Sequence, residues 1–295
     1  MKQAYLFPGQ GSQQAGMGAD HYKFHSGFRN RCEQANEILG YSVTEIMFEG
    51  PEEVLTQTRY TQPALFIHSF ALFEMLSHEP DMVAGHSLGE YTALAAAGVL
   101  NFEDALKAVQ TRGELMQNAG ESDPGTMAAV IGLEDEVVEK ICEEVSKATG
   151  SVVIPANYNT KGQIVISGHV DAVETAMGSL KDAGAKIVKK LPVSGAFHTS
   201  LMGPARDELT KVLDELDFQQ PYVSVYSNVS GIGSDDPITI KENLKEQLLS
   251  PVRWTQTLLS MYEDGARHYI EVGPGRVLQG LVKRTLNTVE ISGFH

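Results

Sequence analysis

Cysteine and tryptophan are nearly missing from this chain, with two of the first and one of the second among 295 residues. Cys32 and Cys142 stand far apart, in neither C-x-x-C nor metal-ligand spacing. That excludes a disulfide framework and a cysteine-based metal site, and leaves two plain thiols in a reducing compartment. Long apolar runs are missing too; none approaches the ~20 residues that a membrane-spanning helix needs. The N-terminal stretch holds one lysine and a short apolar run over residues 4–7, too little for a secretory signal, so a cytoplasmic protein without a membrane partner is expected. Positive charge is also scarce. Against 38 Asp and Glu stand 23 Lys and Arg, a net charge of −15 that argues against nucleic acid as a partner. An anionic ligand must then be met by local cations, and the densest groups are Lys186, Lys189 and Lys190, and Arg276, Lys283 and Arg284.

Glycine is plentiful, and its placement carries the first functional signal. Gly85-His86-Ser87-Leu88-Gly89 is a G-x-S-x-G turn, preceded by the apolar Met82-Val83-Ala84 and followed by a helix-like run over 88–97. Strand, turn and helix in that order are what a nucleophile elbow requires, with the serine hydroxyl projecting near the positive end of the following helix. A serine needs a base to take its proton. Of nine histidines, His198 stands in Ser194-Gly195-Ala196-Phe197-His198-Thr199, where a small domain returns to a larger one, and clefts between domains are favoured ligand sites. His86 adjoins Ser87, but neighbours on a turn usually point apart. Gly9-Gln10-Gly11 follows the first strand and lacks both the dinucleotide spacing and the P-loop lysine. It suits an oxyanion hole instead, with one N–H from Gln10 and one from Leu88. Arg112 shares a helical stripe with Ala105, Val109 and Met116. An inward guanidinium is read either as a structural partner of an Asp or Glu (or a snorkelling side chain), or as a bidentate clamp on a substrate carboxylate.

The order of elements points to an α/β protein with a mainly parallel sheet and an inserted unit. A strand over 3–7 leads into helices that reach about residue 79, broken at Gly40, at Gly50-Pro51 and near Pro63. A strand over 81–84, the elbow helix, and a helix capped by Asn101 and running to about 118 follow. Then come a strand (126–133), a helix (134–148, with Val137, Val138, Ile141 and Val145 on one face), strands (152–157 and 163–167), a helix (170–183) and a strand (186–193). That βαββαβ order is the ferredoxin-like arrangement. After it come a helix (201–216), a strand (222–227), two helices flanking Pro251, a strand (268–272) and a helix (277–286). Residues 1–123 and 194–295 are therefore expected to form a large catalytic domain, and 124–193 a small insertion.

These motifs, with Phe7-Pro8-Gly9-Gln10-Gly11-Ser12-Gln13 at one end and Glu271-Val272-Gly273-Pro274 at the other, closely resemble those of the malonyl-CoA:acyl carrier protein transacylase family across nearly the whole chain. The resemblance implies a hydrolase-like α/β domain carrying a ferredoxin-like insertion. It implies Ser87 as nucleophile, His198 as base, main-chain donors at Gln10 and Leu88, and Arg112 on the malonyl carboxylate. Gln247 matches a family glutamine, Asn157 and Asn159 match an asparagine pair lining the cleft, and His86 matches a residue that touches substrate. In the family the histidine is oriented by a main-chain carbonyl rather than an aspartate. Phe197 and Leu88 follow the malonyl-selective pattern, and Met116 is placed among the substrate-binding residues. The implied reaction is ping-pong transfer from malonyl-CoA to the phosphopantetheine thiol of acyl carrier protein, with no metal or other cofactor and, as is usual in the family, a monomer. Carrier docking is placed near Lys189, Lys190 and Lys283. Two rivals remain: a serine hydrolase using a late histidine, for which His268 is the candidate, and a module that only binds carrier protein. A free-standing acyltransferase of a polyketide line would use the same chemistry as one serving fatty acid synthesis.

Overall fold

Side chains along the first strand part into two apolar clusters, Tyr5 and Phe7 on one side, Ala4 and Leu6 on the other. Alternation of this kind, buried on both faces, belongs to the centre of a parallel sheet covered by helices. The computed structural model, which describes residues 1–193 and 195–295, builds that sheet and a second one. In chain order, β1 (Lys2–Phe7) is followed by α1 (Ala19–Phe24), α2 (Ser26–Leu39), α3 (Val43–Glu49), α4 (Glu52–Leu55) and α5 (Thr58–Phe73). Next come β2 (Met82–Gly85), α6 (Gly89–Ala96) and α7 (Phe102–Ser122). The βαββαβ unit is β3 (Gly125–Ile131), α8 (Asp135–Thr149), β4 (Val153–Thr160), β5 (Gln163–His169), α9 (Val170–Asp182) and β6 (Ile187–Lys190). A 3-10 turn (Ser200–Met202) then leads to α10 (Gly203–Glu215), β7 (Ser224–Tyr226), β8 (Gly233–Ser234), α11 (Pro237–Glu246) and α12 (Trp254–Glu263). The chain finishes with β9 (Ala266–Val272), α13 (Val277–Thr285) and β10 (Glu290–Phe294).

The larger sheet has the order β10-β9-β1-β2-β7-β8, parallel except for β8. The smaller is antiparallel, in the order β4-β5-β3-β6 of a ferredoxin-like unit. Its core, among others Val130, Val138, Cys142, Ile164, Ile166, Val173 and Leu180, is separate from the two cores of the large sheet. The bulged part of β4 is joined to the segment between α11 and α12, where Tyr158 N–H donates to Val252 C=O and Val252 N–H donates to Ala156 C=O, both at 2.8 Å. The chain thereby brings the segment after α11 beside the small sheet.

Several local details depart from expectation. The early helices are also interrupted at His25, and the break expected near Pro63 falls instead at Thr56-Gln57, so that α5 runs straight through Pro63. A proline removes a single N–H from the ladder, and burial of nearly the whole of α5 outweighs that loss. On α8 the buried stripe is Val138, Cys142 and Val145, while Val137, about 100° around the helix, faces solvent. The strand after α9 is limited to Ile187–Lys190, the residues in register with β3, and the bonds from Lys186 N–H to Ile131 C=O and from Leu191 N–H to Met127 C=O close its two ends. The expected start of the returning large domain, Ser194, lies outside the described residues.

Candidate active site

The elbow forms where β2 runs into α6 with almost no space between backbones. A Cβ on Gly85 would fall 1.8 Å from the carbonyl carbon of Gly89, and one on Gly89 would fall 2.1 Å from the oxygen of Phe7. No side chain fits at either position, which explains both flanking glycines. Ser87 itself sits at φ 51°, in the left-handed region that disfavours non-glycine residues. Asn228 holds it there. Its Oδ1 accepts from Ser87 N–H at 2.7 Å and its Nδ2 donates to Gly85 C=O at 2.7 Å.

His198 also has a left-handed backbone, at φ 61°, and is buried. Its Nδ1 lies 2.9 Å from the main-chain oxygen of Gln247 and 3.1 Å from that of Ser250. Both are acceptors, so the ring proton resides on Nδ1 and Nε2 keeps its lone pair. Nε2 is 2.9 Å from Ser87 Oγ, whose hydroxyl therefore donates to the imidazole. Burial, reinforced by the charge of Arg112, pushes the His198 pKa down to about 3. The ring is held in its proton-accepting form throughout the neutral range.

Arg112 arrives from the middle of α7 and is 0% exposed, which removes the snorkelling reading. Nη1 donates to Gln62 Oε1 at 2.7 Å, and Nη2 donates to Gln247 Oε1 at 3.0 Å and to Ser87 Oγ at 3.1 Å. Among the described residues no carboxylate pairs with it directly. Its guanidinium carbon lies 5.5 Å from the centre of the Tyr91 ring, and its Nε has no hydrogen-bond partner among the described residues. A buried cation bonded only to neutral oxygens, and touching the serine hydroxyl, is suited to bind an anion there.

A cavity of about 260 Å³ opens over this group. Gln10, Ser87, Leu88, Arg112, Asn157 and His198 are among its lining residues, as are His86, Met116, Asn159 and Phe197. The small sheet adds Met127, Ala129 and Val165, and α13 adds Leu278 and Leu281. Neither Gln10 N–H nor Leu88 N–H has a protein acceptor among the described residues, so both are available to a ligand. His86 points away from Ser87, as expected for neighbours on a turn, and its Nε2 lies 2.8 Å from Asn159 Oδ1. Of the sequence-derived site residues, Gln247 alone does not line the cavity; it works from beneath, through its backbone oxygen and its amide. His268 is elsewhere, on β9, with Nε2 2.8 Å from Ser292 Oγ of β10. Three participants escaped the sequence: Gln62, Glu90 and Asn228. The first lies on α5, which also buries Thr58, Thr61, His68 and Ser69, so nothing in the helix's own sequence marks it out. Among the described residues no group of three His, Cys, Asp or Glu side chains is arranged to hold a metal, and no helix is long and apolar enough to cross a membrane.

Residues 4–293 match the family described as acyl transferase domain. The malonyl CoA-acyl carrier protein transacylase of Escherichia coli is 44% identical, over 99% of this chain and 95% of that protein. Its counterpart in Bacillus subtilis is also 44% identical, over 99% and 93%. Among solved structures, an acyl carrier protein S-malonyltransferase from Vibrio cholerae superposes with a TM-score of 0.95 at 46% identity, covering 99% of this chain and 96% of that one. A malonyl-transacylase in complex with its type II PKS acyl-carrier protein superposes with a TM-score of 0.94 at 42% identity, covering 99% and 95%.

Proposed function

Because the chain belongs to the acyl transferase domain family, we propose that it transfers a malonyl group from malonyl-CoA to the phosphopantetheine thiol of acyl carrier protein, supplying extender units for fatty acid synthesis in the cytoplasm. The observation that carries this reading is the serine hydroxyl held between a neutral imidazole at 2.9 Å and a buried guanidinium without a carboxylate partner at 3.1 Å. A hydrolase of uncharged esters has no use for that cation. A module that only binds carrier protein has no use for the base.

In the first half-reaction the malonyl carboxylate takes the acceptor place beside Arg112. Ser87 Oγ attacks the thioester carbonyl as its proton passes to His198 Nε2, and the resulting oxyanion is met by the N–H groups of Gln10 and Leu88. Donors of that kind, removed singly, typically cost about 3–4 kcal/mol of transition-state stabilisation. The C–S bond then breaks, His198 returns the proton to the departing CoA sulfur, and a malonyl ester remains on Ser87. The carrier's thiol repeats these steps in the opposite direction: it gives its proton to His198, attacks the ester carbonyl, and Ser87 leaves with the proton restored. The Gln247 and Ser250 carbonyls keep the imidazole oriented throughout by accepting from Nδ1–H, and they stabilise the ring when it becomes charged. Residues 124–193 act as a small domain whose sheet closes the cavity, with Asn157, Asn159 and His86 on its rim and Met116 and Phe197 on its acyl wall. Docking of the carrier near Lys189, Lys190 and Lys283 belongs to the same reading.

Intact-protein mass spectrometry after brief mixing with malonyl-CoA tests it. A malonyl adduct is expected on the parent protein, absent from Ser87→Ala, and discharged on adding carrier protein. Steady release of CoA without any adduct would mean that water is the acceptor. Comparing fatty acid and polyketide carrier proteins as the second substrate separates those two settings.

A further inference from the structure

The reaction sequence above leaves one buried ionisable side chain unused. Glu90, in the first turn of α6, is 2% exposed and lies beneath the elbow. Its Oε2 accepts from Gln247 Nε2 at 2.6 Å and from Asn228 N–H at 3.2 Å. A carboxyl taken out of water is costly unless its bonds matter, and burial indeed pushes this one up to about 7.

The shorter of these bonds holds the orientation of an amide; the longer reaches the main chain of Asn228. A glutamine side chain has an accepting end and a donating end, and nothing in its shape distinguishes them. Here each end meets a group that works in one sense only. Arg112 Nη2 can only donate, and it takes Oε1 at 3.0 Å. Ser87 C=O can only accept, and it takes Nε2 at 3.0 Å, which also donates to Glu90 Oε2 at 2.6 Å. Glu90 and Arg112 thus pin the two ends of Gln247 against each other across the floor of the site. We propose that Glu90 is a positioning residue for recognition of the charged acyl group: by fixing the Gln247 amide it sets the plane in which Arg112 presents its fork beside Ser87. His198, in contrast, is held through the main chain of Gln247 and Ser250, which this amide does not control. The consequence is a split. Disturbing Glu90 harms acyl groups that carry a carboxylate more than those that do not.

This rests on the malonyl-transfer reading, and the experiment keeps the two apart. Rates of Ser87 acylation by malonyl-CoA and by acetyl-CoA are measured for the parent, Glu90→Ala and Glu90→Gln, and for Glu90→Ala combined with Gln247→Ala. Glu90→Ala is expected to lower the malonyl-to-acetyl ratio about tenfold, the scale of a hydrogen bond within a charged network. Glu90→Gln retains an oxygen of the same reach and is expected to restore the ratio to within about threefold of the parent. In the Gln247→Ala background, Glu90→Ala is expected to move the ratio less than about twofold, because both changes remove one interaction. Where Glu90→Ala does not fold, Glu90→Asp withdraws the oxygen by one methylene and carries the same expected fall. Equal losses for both acyl groups, no recovery in Glu90→Gln, or multiplying effects in the double variant would overturn the proposal and leave the transferase reading intact. A parent protein that forms no malonyl adduct removes both.

Discussion

Arg112 shows most clearly what one residue's surroundings add to its position in a sequence. Helical spacing places it on a buried stripe but leaves salt bridge and substrate clamp as equal readings. The structure removes direct carboxylate partners among the described residues and substitutes two glutamine oxygens and a serine hydroxyl. Arg112→Ala is expected to slow Ser87 acylation by malonyl-CoA by about 30- to 150-fold or more, corresponding to about 2–3 kcal/mol for a charged hydrogen bond. Acylation by acetyl-CoA should slow less; equal losses, measured by quenched-flow mass spectrometry, would take Arg112 out of carboxylate binding. Ser87 was legible because its constraint is local: two glycines and an adjoining strand and helix. Glu90 and Asn228 were not, because their contacts span 157 and 141 positions of sequence. A buried acid in a helix reads like any surface acid until the fold closes over it.

Helix α7 delivers that arginine to the cavity. Asn101 caps it, with Oδ1 accepting from Asp104 N–H at 2.9 Å, and the Asn101 Nδ2 donates to Asp104 Oδ2 at 2.7 Å. This is the cap that the sequence announces. Asn101→Ala should destabilise the protein by about 1 kcal/mol, seen as a lower denaturation midpoint at unchanged slope, with malonyl selectivity preserved. Elements with strong periodicity were legible in this way, including the whole βαββαβ order. The last strand, β10, was not. Its pattern, Glu290-Ile291-Ser292-Gly293-Phe294, is short, half-polar and at the sheet edge, and it becomes a strand by pairing with β9. The passage of α5 through Pro63 was hidden for a similar reason, since tertiary burial overrode a local penalty.

At the scale of the molecule, buried neutral histidines tie stability to acidity. His68 and His198 both have pKa values lowered by burial from 6.5 to about 3. Each stays unprotonated in the folded chain while the unfolded chain binds protons below about 6.5, so the stability that each histidine contributes is full above that pH and declines as pH falls towards about 3. The slope contributed by one histidine approaches ~1.4 kcal/mol per pH unit within that window. Because His68 Nδ1 has no partner among the described residues and the ring packs edge-on against Phe28, His68→Leu should move the acid-unfolding midpoint to lower pH while leaving the site intact; circular dichroism across pH 3–7 checks it. The site itself is assembled from distant parts of the chain: Ser87 meets His198 across 111 positions, and Arg112 meets Gln247 across 135. His198 lacks its orienting carbonyls until Ser250 has been made and folded back. A chain still being synthesised therefore carries its nucleophile for most of its growth with no working base, and unfinished copies are chemically silent towards the thioesters around them.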